Sequence, residues 1–259
     1  MMRSLFSAIS GLKAHQTMMD VVGNNISNVN TSAFKSSRIT FQDIISQTVR
    51  GAQAPTGSLG GMNPVQVGLG VQTGSIDSLM TQGNLQSTNK PTDVAIQGDG
   101  FFAVTDGTNT LYTRDGNFTL DSAGKLIHAA TGMTVVPAVT VPAGATNFTI
   151  AQNGQVSWTV GSTVQAGPVL TLTNFTNPGG LTRTGNNLFA VSNNSGPATP
   201  GTPGTNGLGT VQVGFLEMSN VDLAAQFTNM IIAQRGFQAN SRVITASDEV
   251  LQDLVNIKR

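Results

Sequence analysis

Both ends of the chain carry apolar residues in steps of four and three. Near the C-terminus, Leu223, Phe227, Met230, Gln234, Phe237, Ser241, Ile244, Asp248, Leu251 and Val255 follow one another without a break. That is the 3.5-residue period of a coiled-coil seam. One row, Leu223, Met230, Phe237, Ile244 and Leu251, is wholly apolar. The other has Phe227 and Val255 at its ends and Gln234, Ser241 and Asp248 between them. Leu5, Ile9, Leu12, Gln16, Met19, Gly23 and Ile26 repeat the spacing near the N-terminus. The pattern predicts a helix over 3–28 and a second one reaching the C-terminus, with Ser219-Asn220 placed to cap it. The second pattern spans about 35 residues, or ~50 Å at 1.5 Å per residue. A face of this kind needs a partner helix, either in the same chain or in another copy. The run Gly23–Thr31, rich in Asn and Ser, is expected to fray the first helix, because those side chains compete for backbone hydrogen bonds.

Between the ends the period changes to two. Val94 and Ile96, Phe101 to Val104, Leu111 to Arg114 and Phe118 to Leu120 read as strands, and the pattern continues to about residue 191. Asp99-Gly100, Asp106-Gly107, Asp115-Gly116 and Asn153-Gly154 read as hairpin turns. Residues 51–70, with Gly51, Pro55, Gly57, Gly60, Gly61, Pro64, Gly68 and Gly70, read as a linker. Residues 192–210 read as a surface loop. The expected fold is α+β. Residues 1–35 and 219–259 form a coiled-coil-like helical domain, 36–70 an extended connection, and 71–218 a central, mostly antiparallel β domain.

Composition narrows the function. Lys+Arg and Asp+Glu balance at 13 each, which gives no basic surface for nucleic acid. Only 10% of residues are charged, so copies of the chain would repel one another little. There is no cysteine, which excludes disulfides and thiolate chemistry. No stretch of about 18 apolar residues could cross a membrane as a helix. Gln, His and Asp interrupt the N-terminal apolar run, so no cleaved secretory signal is expected.

Candidate chemistry is sparse. Ser10-Gly-Leu-Lys13 and Ser87-Thr-Asn-Lys90 match Ser-x-x-Lys but lack companion motifs. Gly68, Gly70 and Gly74 lack a surrounding β-α-β unit. His15 and His128 are the only histidines and are far apart in sequence. Asp99, Asp115 and Asp121 sit at turns. No catalytic, cofactor or metal site is expected, and the chain reads as a non-enzymatic, self-assembling structural protein. A secreted β-rich adhesin is the remote alternative. It should show clustered aromatics, whereas this chain has one Trp and one Tyr.

Three separated motifs then carry a resemblance. Gly23-Asn24-Asn25-Ile26-Ser27-Asn28-Val29-Asn30-Thr31 followed by Phe34-Lys35 resembles the N-terminal signature of the bacterial flagellar rod and hook family. Asp93 to Phe102 and Tyr112 to Phe118 resemble its central domain. Ser219 to Leu223 and Met230 to Asn240 resemble its C-terminal signature. Within the family, Ala233-Gln-Arg-Gly-Phe237 and Leu254-Val-Asn-Ile-Lys-Arg259 look most like short hook proteins of Gram-positive bacteria. The length and the Gly/Pro stretch also resemble the distal rod protein. The resemblance implies a homo-oligomeric helical tube that transmits motor torque around an export channel, with the terminal helices on its inner wall. It implies a location in the flagellar hook or basal body, and export through the flagellar type III apparatus. Rod, hook-cap and hook–filament junction proteins are the implied partners. Leu5, Ile9, Leu12, Met19, Ile26 and the apolar positions near the C-terminus would form the assembly seam. Gln16, Gln234, Ser241 and Asp248 would set register at some cost in stability. Asp248 would reach the channel or a neighbour's Arg235 or Arg242.

Overall fold

The computed structural model describes residues 2–57 and 60–257. Met1, Ser58 and Leu59 of the Gly/Pro stretch, and the last two residues of the Leu254–Arg259 tail motif lie outside the described residues. Two compact units are present. One contains residues 1–27, 37–77 and 222–259, and the other residues 28–36 and 78–221.

The first unit is built on two helices, α1 (Met2–Ser27) and α2 (Leu223–Ile257), which pack against each other. The expected helices are therefore present, but their ends are set by other groups. Asp222, not Ser219 or Asn220, caps α2: its Oδ1 accepts from the amides of Ala224 at 2.9 Å and Ala225 at 3.3 Å. The Asn-rich run does not fray α1 before Ser27, because Asn25 has definite partners described below. Strand Ser37–Asp43 pairs with Val71–Ser78, and Gln47–Arg50 pairs with Val65–Val67. The glycines and prolines of 51–70 therefore connect an antiparallel arm, and Val71–Ser78 belongs with the helices. Ser10 Oγ holds the arm on α1 by accepting from the Val71 amide at 3.2 Å.

The second unit is β-rich and, in its strand pairings, antiparallel. Its largest sheet runs Thr182–Gly185, Leu188–Ala190, Thr110–Thr113, Phe101–Thr105, Thr134–Val136, Leu126–His128, Phe118–Leu120, and Leu172–Asn174 also pairs with Phe101–Thr105. Ala145–Ile150, Gln155–Val160 and Thr163–Val169 form a separate three-stranded sheet. Strand alternation sends Phe102, Val104, Phe118, Leu126 and Val135 into one core with Leu172 and Val211. Phe101 and Ala103 point the other way, to Tyr112, Phe175 and Phe189. Phe101 stands edge-on to both Phe175 and Phe189.

Two of the four expected hairpins form. Asp106-Gly107 joins Phe101–Thr105 to Thr110–Thr113, and Asn153-Gly154 joins Ala145–Ile150 to Gln155–Val160. Asp99-Gly100 and Asp115-Gly116 instead pass the chain between strands that are not neighbours. Val94–Gln97 pairs with Thr210–Val213, and Phe118–Leu120 with Leu126–His128. The 192–210 loop is not all surface. It contains strand Thr199–Gly201, and Ser195, Pro203 and Leu208 are buried.

Candidate assembly site

The helix pair has its own register. Gly11 faces the side chain of Asn240, His15 lies on Gly236, and Asn25 Nδ2 donates to Gln226 Oε1 at 3.2 Å. As residue numbers on α1 rise, those of their α2 partners fall, so the helices run antiparallel. The contact line is made of small and polar residues. Ala8, Gly11, Ala14, Val22 and Asn25 are buried on α1, and Ala233 on α2. A methyl group on Gly11 would sit 2.6 Å from Asn240 Nδ2, and one on Gly236 would enter the His15 ring. The two missing side chains therefore allow this close approach. Continued along α2, the register runs off the N-terminal end of α1 at about Glu249, so the final two turns of α2 have no α1 opposite them.

This seam is not the row the sequence pattern singled out. On α1, Leu5, Ile9, Leu12, Met19 and Ile26 are half-buried beside it, and Gln16 is exposed. On α2, Leu223, Phe227, Phe237 and Val255 are exposed, and Met230, Ile244 and Leu251 are half-buried. Gln234, Ser241 and Asp248 are exposed, and Asp248 Oδ2 accepts from Gln252 Nε2 at 3.0 Å. At 100° per residue, Leu223, Phe227, Met230, Phe237 and Val255 form one stripe flanking the buried line. Ile232, Val243, Val250 and Leu254, all exposed, form a second stripe on its other flank. Arg235, Arg242 and Glu249 are exposed on the ridge opposite α1. Helix α2 thus carries an exposed apolar stripe on each flank of its contact line, and α1 covers only the line between them.

The Asn24-Asn25…Phe34-Lys35 motif divides into two tasks. Asn24 is exposed on α1. Asn25 is buried, and its amide brackets the backbone of Ser37. Oδ1 accepts from the Ser37 amide at 2.9 Å, and Nδ2 donates to the Ser37 carbonyl at 2.8 Å. In the β-rich unit, Asn28 Oδ1 accepts from Thr31 Oγ1 at 3.1 Å. Phe34 is buried beneath the Arg183 guanidinium, which lies 5.2 Å from its ring centre. Lys35 is buried outright. Its Nζ donates to Glu217 Oε1 at 2.6 Å and to the Thr81 carbonyl at 2.8 Å.

Glu217 is the hub of this buried ion cluster. Its Oε1 also accepts from the Gly83 amide at 2.8 Å, and its Oε2 accepts from Arg114 Nη1 at 3.4 Å. Arg114 stacks 5.3 Å from the Phe101 ring centre. Burial pushes the Lys35 ammonium below its ordinary pKa, against the pull of Glu217. Burial lowers Arg114 too, opposed by Glu217 and Asp99. Sequence reasoning missed Glu217 and Arg114. The available signal was a carboxylate closing the apolar strand Phe215-Leu216-Glu217.

The residues weighed for catalysis have structural partners. Ser10 Oγ donates to the Ser7 carbonyl at 2.7 Å, and Lys90 Nζ donates to the Phe118 carbonyl at 3.1 Å. His15 is packed in the helix pair. His128 Nδ1 lies 2.9 Å from Thr131 Oγ1, and its Nε2 lies 3.4 Å from Asp115 Oδ2 in the β-rich unit. Among the described residues no group of three or more His, Cys, Asp or Glu side chains could hold a metal, and no helix is long and apolar enough to cross a membrane.

Comparison with known proteins accounts for both ends and the middle of the chain. Residues 5–35 match the family "flagella basal body rod protein", and residues 95–158 match "flagellar hook protein FlgE/F/G D1 domain". Residues 212–257 match "flagellar basal body rod FlgEFG protein C-terminal". The chain is 48% identical to the flagellar basal-body rod protein FlgG of Bacillus subtilis, with all of both chains covered. It is 30% identical to the flagellar hook protein FlgE of Borreliella burgdorferi, again covering all of both in an alignment of 441 positions. It is 55% identical to the flagellar hook protein FlgE of Treponema pallidum over 135 residues, which are 52% of this chain and 29% of that protein. The chain therefore belongs to the flagellar rod and hook protein family.

Proposed function

We propose that this chain is a self-assembling structural subunit of the flagellar hook. In this reading many copies form a helical tube that carries motor torque and encloses the export channel, and the protein's role is mechanical rather than catalytic. The observation that carries the reading is α2, with two exposed apolar stripes flanking the line covered by α1. Patches of this kind on a soluble chain mark interaction surfaces. A second copy with the same stripes is the matching partner, because helices pack by apolar ridges into grooves. Gln234, Ser241 and Asp248 interrupt one stripe and set its register. Asp248 reaches the channel or a neighbour's Arg235 or Arg242, which stand exposed on the ridge opposite α1.

The hook assignment rests on the tail motifs and on the 55% identity to a hook protein over about half of the chain. The distal rod is the second reading. It is favoured by 48% identity to a rod protein over the full length of both chains. Axial assembly is sequential, so the position of the subunit decides where growth stops. Deleting the gene should leave cells with a complete rod and no hook or filament. Basal bodies that lack the distal rod would assign the chain to the rod. In either position the subunit leaves the cell through the flagellar type III exporter. It contacts the neighbouring axial proteins: rod, hook cap and hook–filament junction.

A further inference from the structure

The Ser219-Asn220 pair was expected to cap α2, a task that Asp222 performs. Asn220 has other work, all of it inside the β-rich unit. Its Oδ1 accepts from the Ser36 amide at 2.8 Å. Its Nδ2 donates to the Leu79 carbonyl at 2.9 Å and to Thr81 Oγ1 at 2.8 Å. Its own amide donates to the Phe34 carbonyl at 3.4 Å, and the Leu79 amide donates to the Ser36 carbonyl at 2.8 Å.

These residues share a topological position. The chain passes from one compact unit to the other after residues 27, 36, 77 and 221. Asn220 thus touches the last residue of the first β-unit segment, the start of the next, and lies one residue before the exit into α2. Glu217, three residues earlier, repeats the arrangement with charge. Its side chain reaches Lys35 in the first segment and the Gly83 amide in the second, and its carbonyl accepts from the Ala33 amide at 2.7 Å. Three of the four crossings, those after residues 36, 77 and 221, therefore meet at one hydrogen-bonded base of the β-rich unit.

We propose that Asn220, backed by Glu217, is a positioning residue for assembly: it ties these three crossings together, and this lets α1 and α2 meet in register. The proposal rests on the assembly reading above for its consequence and stands on its own geometry for its mechanism. The helix pair needs the tie. Its seam is made mainly of Gly, Ala, Asn, Gln and His15, with Val22 the one larger aliphatic side chain fully buried in it, so it buries little apolar area. Bringing together two ends separated by nearly two hundred residues is entropically unfavourable. A base that already holds residues 33–36 beside 217–220 shortens the effective loop to the two helices and their short leads.

The test uses the full-length protein, whose sequence has no cysteine. Gly11→Cys and Asn240→Cys together place one thiol on each helix at an observed contact. Their oxidative cross-linking in the monomer is followed with and without Asn220→Ala. Asn220→Asp, which keeps the acceptor for Ser36 but loses the donors to Leu79 and Thr81, is the second variant. Amide exchange at Ser36 and at Val104 is measured on the same samples, and tube formation is scored by electron microscopy. The expected result for Asn220→Ala is exchange at Ser36 faster by about tenfold or more with Val104 unchanged. Cross-linking should slow, and tubes should be few. Asn220→Asp should fall between Asn220→Ala and the parent. Parental cross-linking rates in both variants, or normal tubes from Asn220→Ala, would overturn the proposal. If the parent protein forms no tubes, the assembly reading fails, and the cross-linking rates still decide whether Asn220 positions the helices.

Discussion

His15 lies directly against Gly236, and no side chain larger than hydrogen fits beneath its ring. Together with Gly11 opposite Asn240, this fixes the register of α1 and α2 by shape. The pair holds through close approach, with little apolar burial, which is why most large apolar side chains of α2 remain outside it.

Gly236→Ala should therefore disrupt the pair with little effect on the β-rich unit. Overpacking at a tight contact typically costs about 1–3 kcal/mol. Circular dichroism should show lost helix at temperatures where the β signal is unchanged. An unaltered helical transition would show that the seam tolerates a methyl group.

The weakness of the same seam predicts the behaviour of an isolated monomer. Ala233 is the one fully buried residue among those described on α2. Limited proteolysis should trim α1 and α2 first and leave a resistant β-rich core that retains residues 28–36 together with 78–221. In assembled tubes the termini should survive the same digestion. Equal resistance of the termini in a verified monomer would mean that the pair is stable without neighbours.

The buried ion cluster should matter to the β-rich unit. Lys35→Met leaves Glu217 facing Arg114 alone, and breaking a buried pair costs roughly 3–5 kcal/mol. Denaturant melts of the full chain report this loss, and a change within error of zero would remove the cluster from the account.

The same variant carries a pH signature. Burial holds Lys35 below its ordinary value of 10.5 in the folded state. Between the folded and unfolded pKa values the unfolded chain binds the extra proton, so the Lys35 contribution rises with pH through that window and is smallest below it. The stability gap between the parent and Lys35→Met should widen as pH rises from neutral toward that of an ordinary lysine. A gap that narrows would mean that Glu217 outweighs desolvation.

The sequence made the long elements legible because their signal is local. Four-three spacing marked α1 and α2 to within a residue or two, and period-two runs marked Phe101–Thr105 and Gln155–Val160. The contact line between the helices left no such trace, since Ala8, Gly11, Ala233 and Gly236 carry no hydrophobic periodicity. Turn chemistry was only half informative. Asp106-Gly107 closes a hairpin while Asp115-Gly116 does not, because the same dipeptide can turn the chain toward a distant strand. Lys35 and Glu217, 182 positions apart, could not be paired from spacing at all.

In the proposed assembly the two exposed stripes of α2 join copies of the chain. Phe227 and Ile232, one on each stripe, are 51% and 53% exposed in a single copy. Phe227→Asp and Ile232→Asp should therefore leave the monomer folded, while in a copy-to-copy contact each would bury an unpaired carboxylate. Electron microscopy of the purified parent and both variants under polymerising conditions is the most direct measurement. Tubes are expected from the parent and none from either variant. Normal tubes from both would show that α2 does not join the subunits.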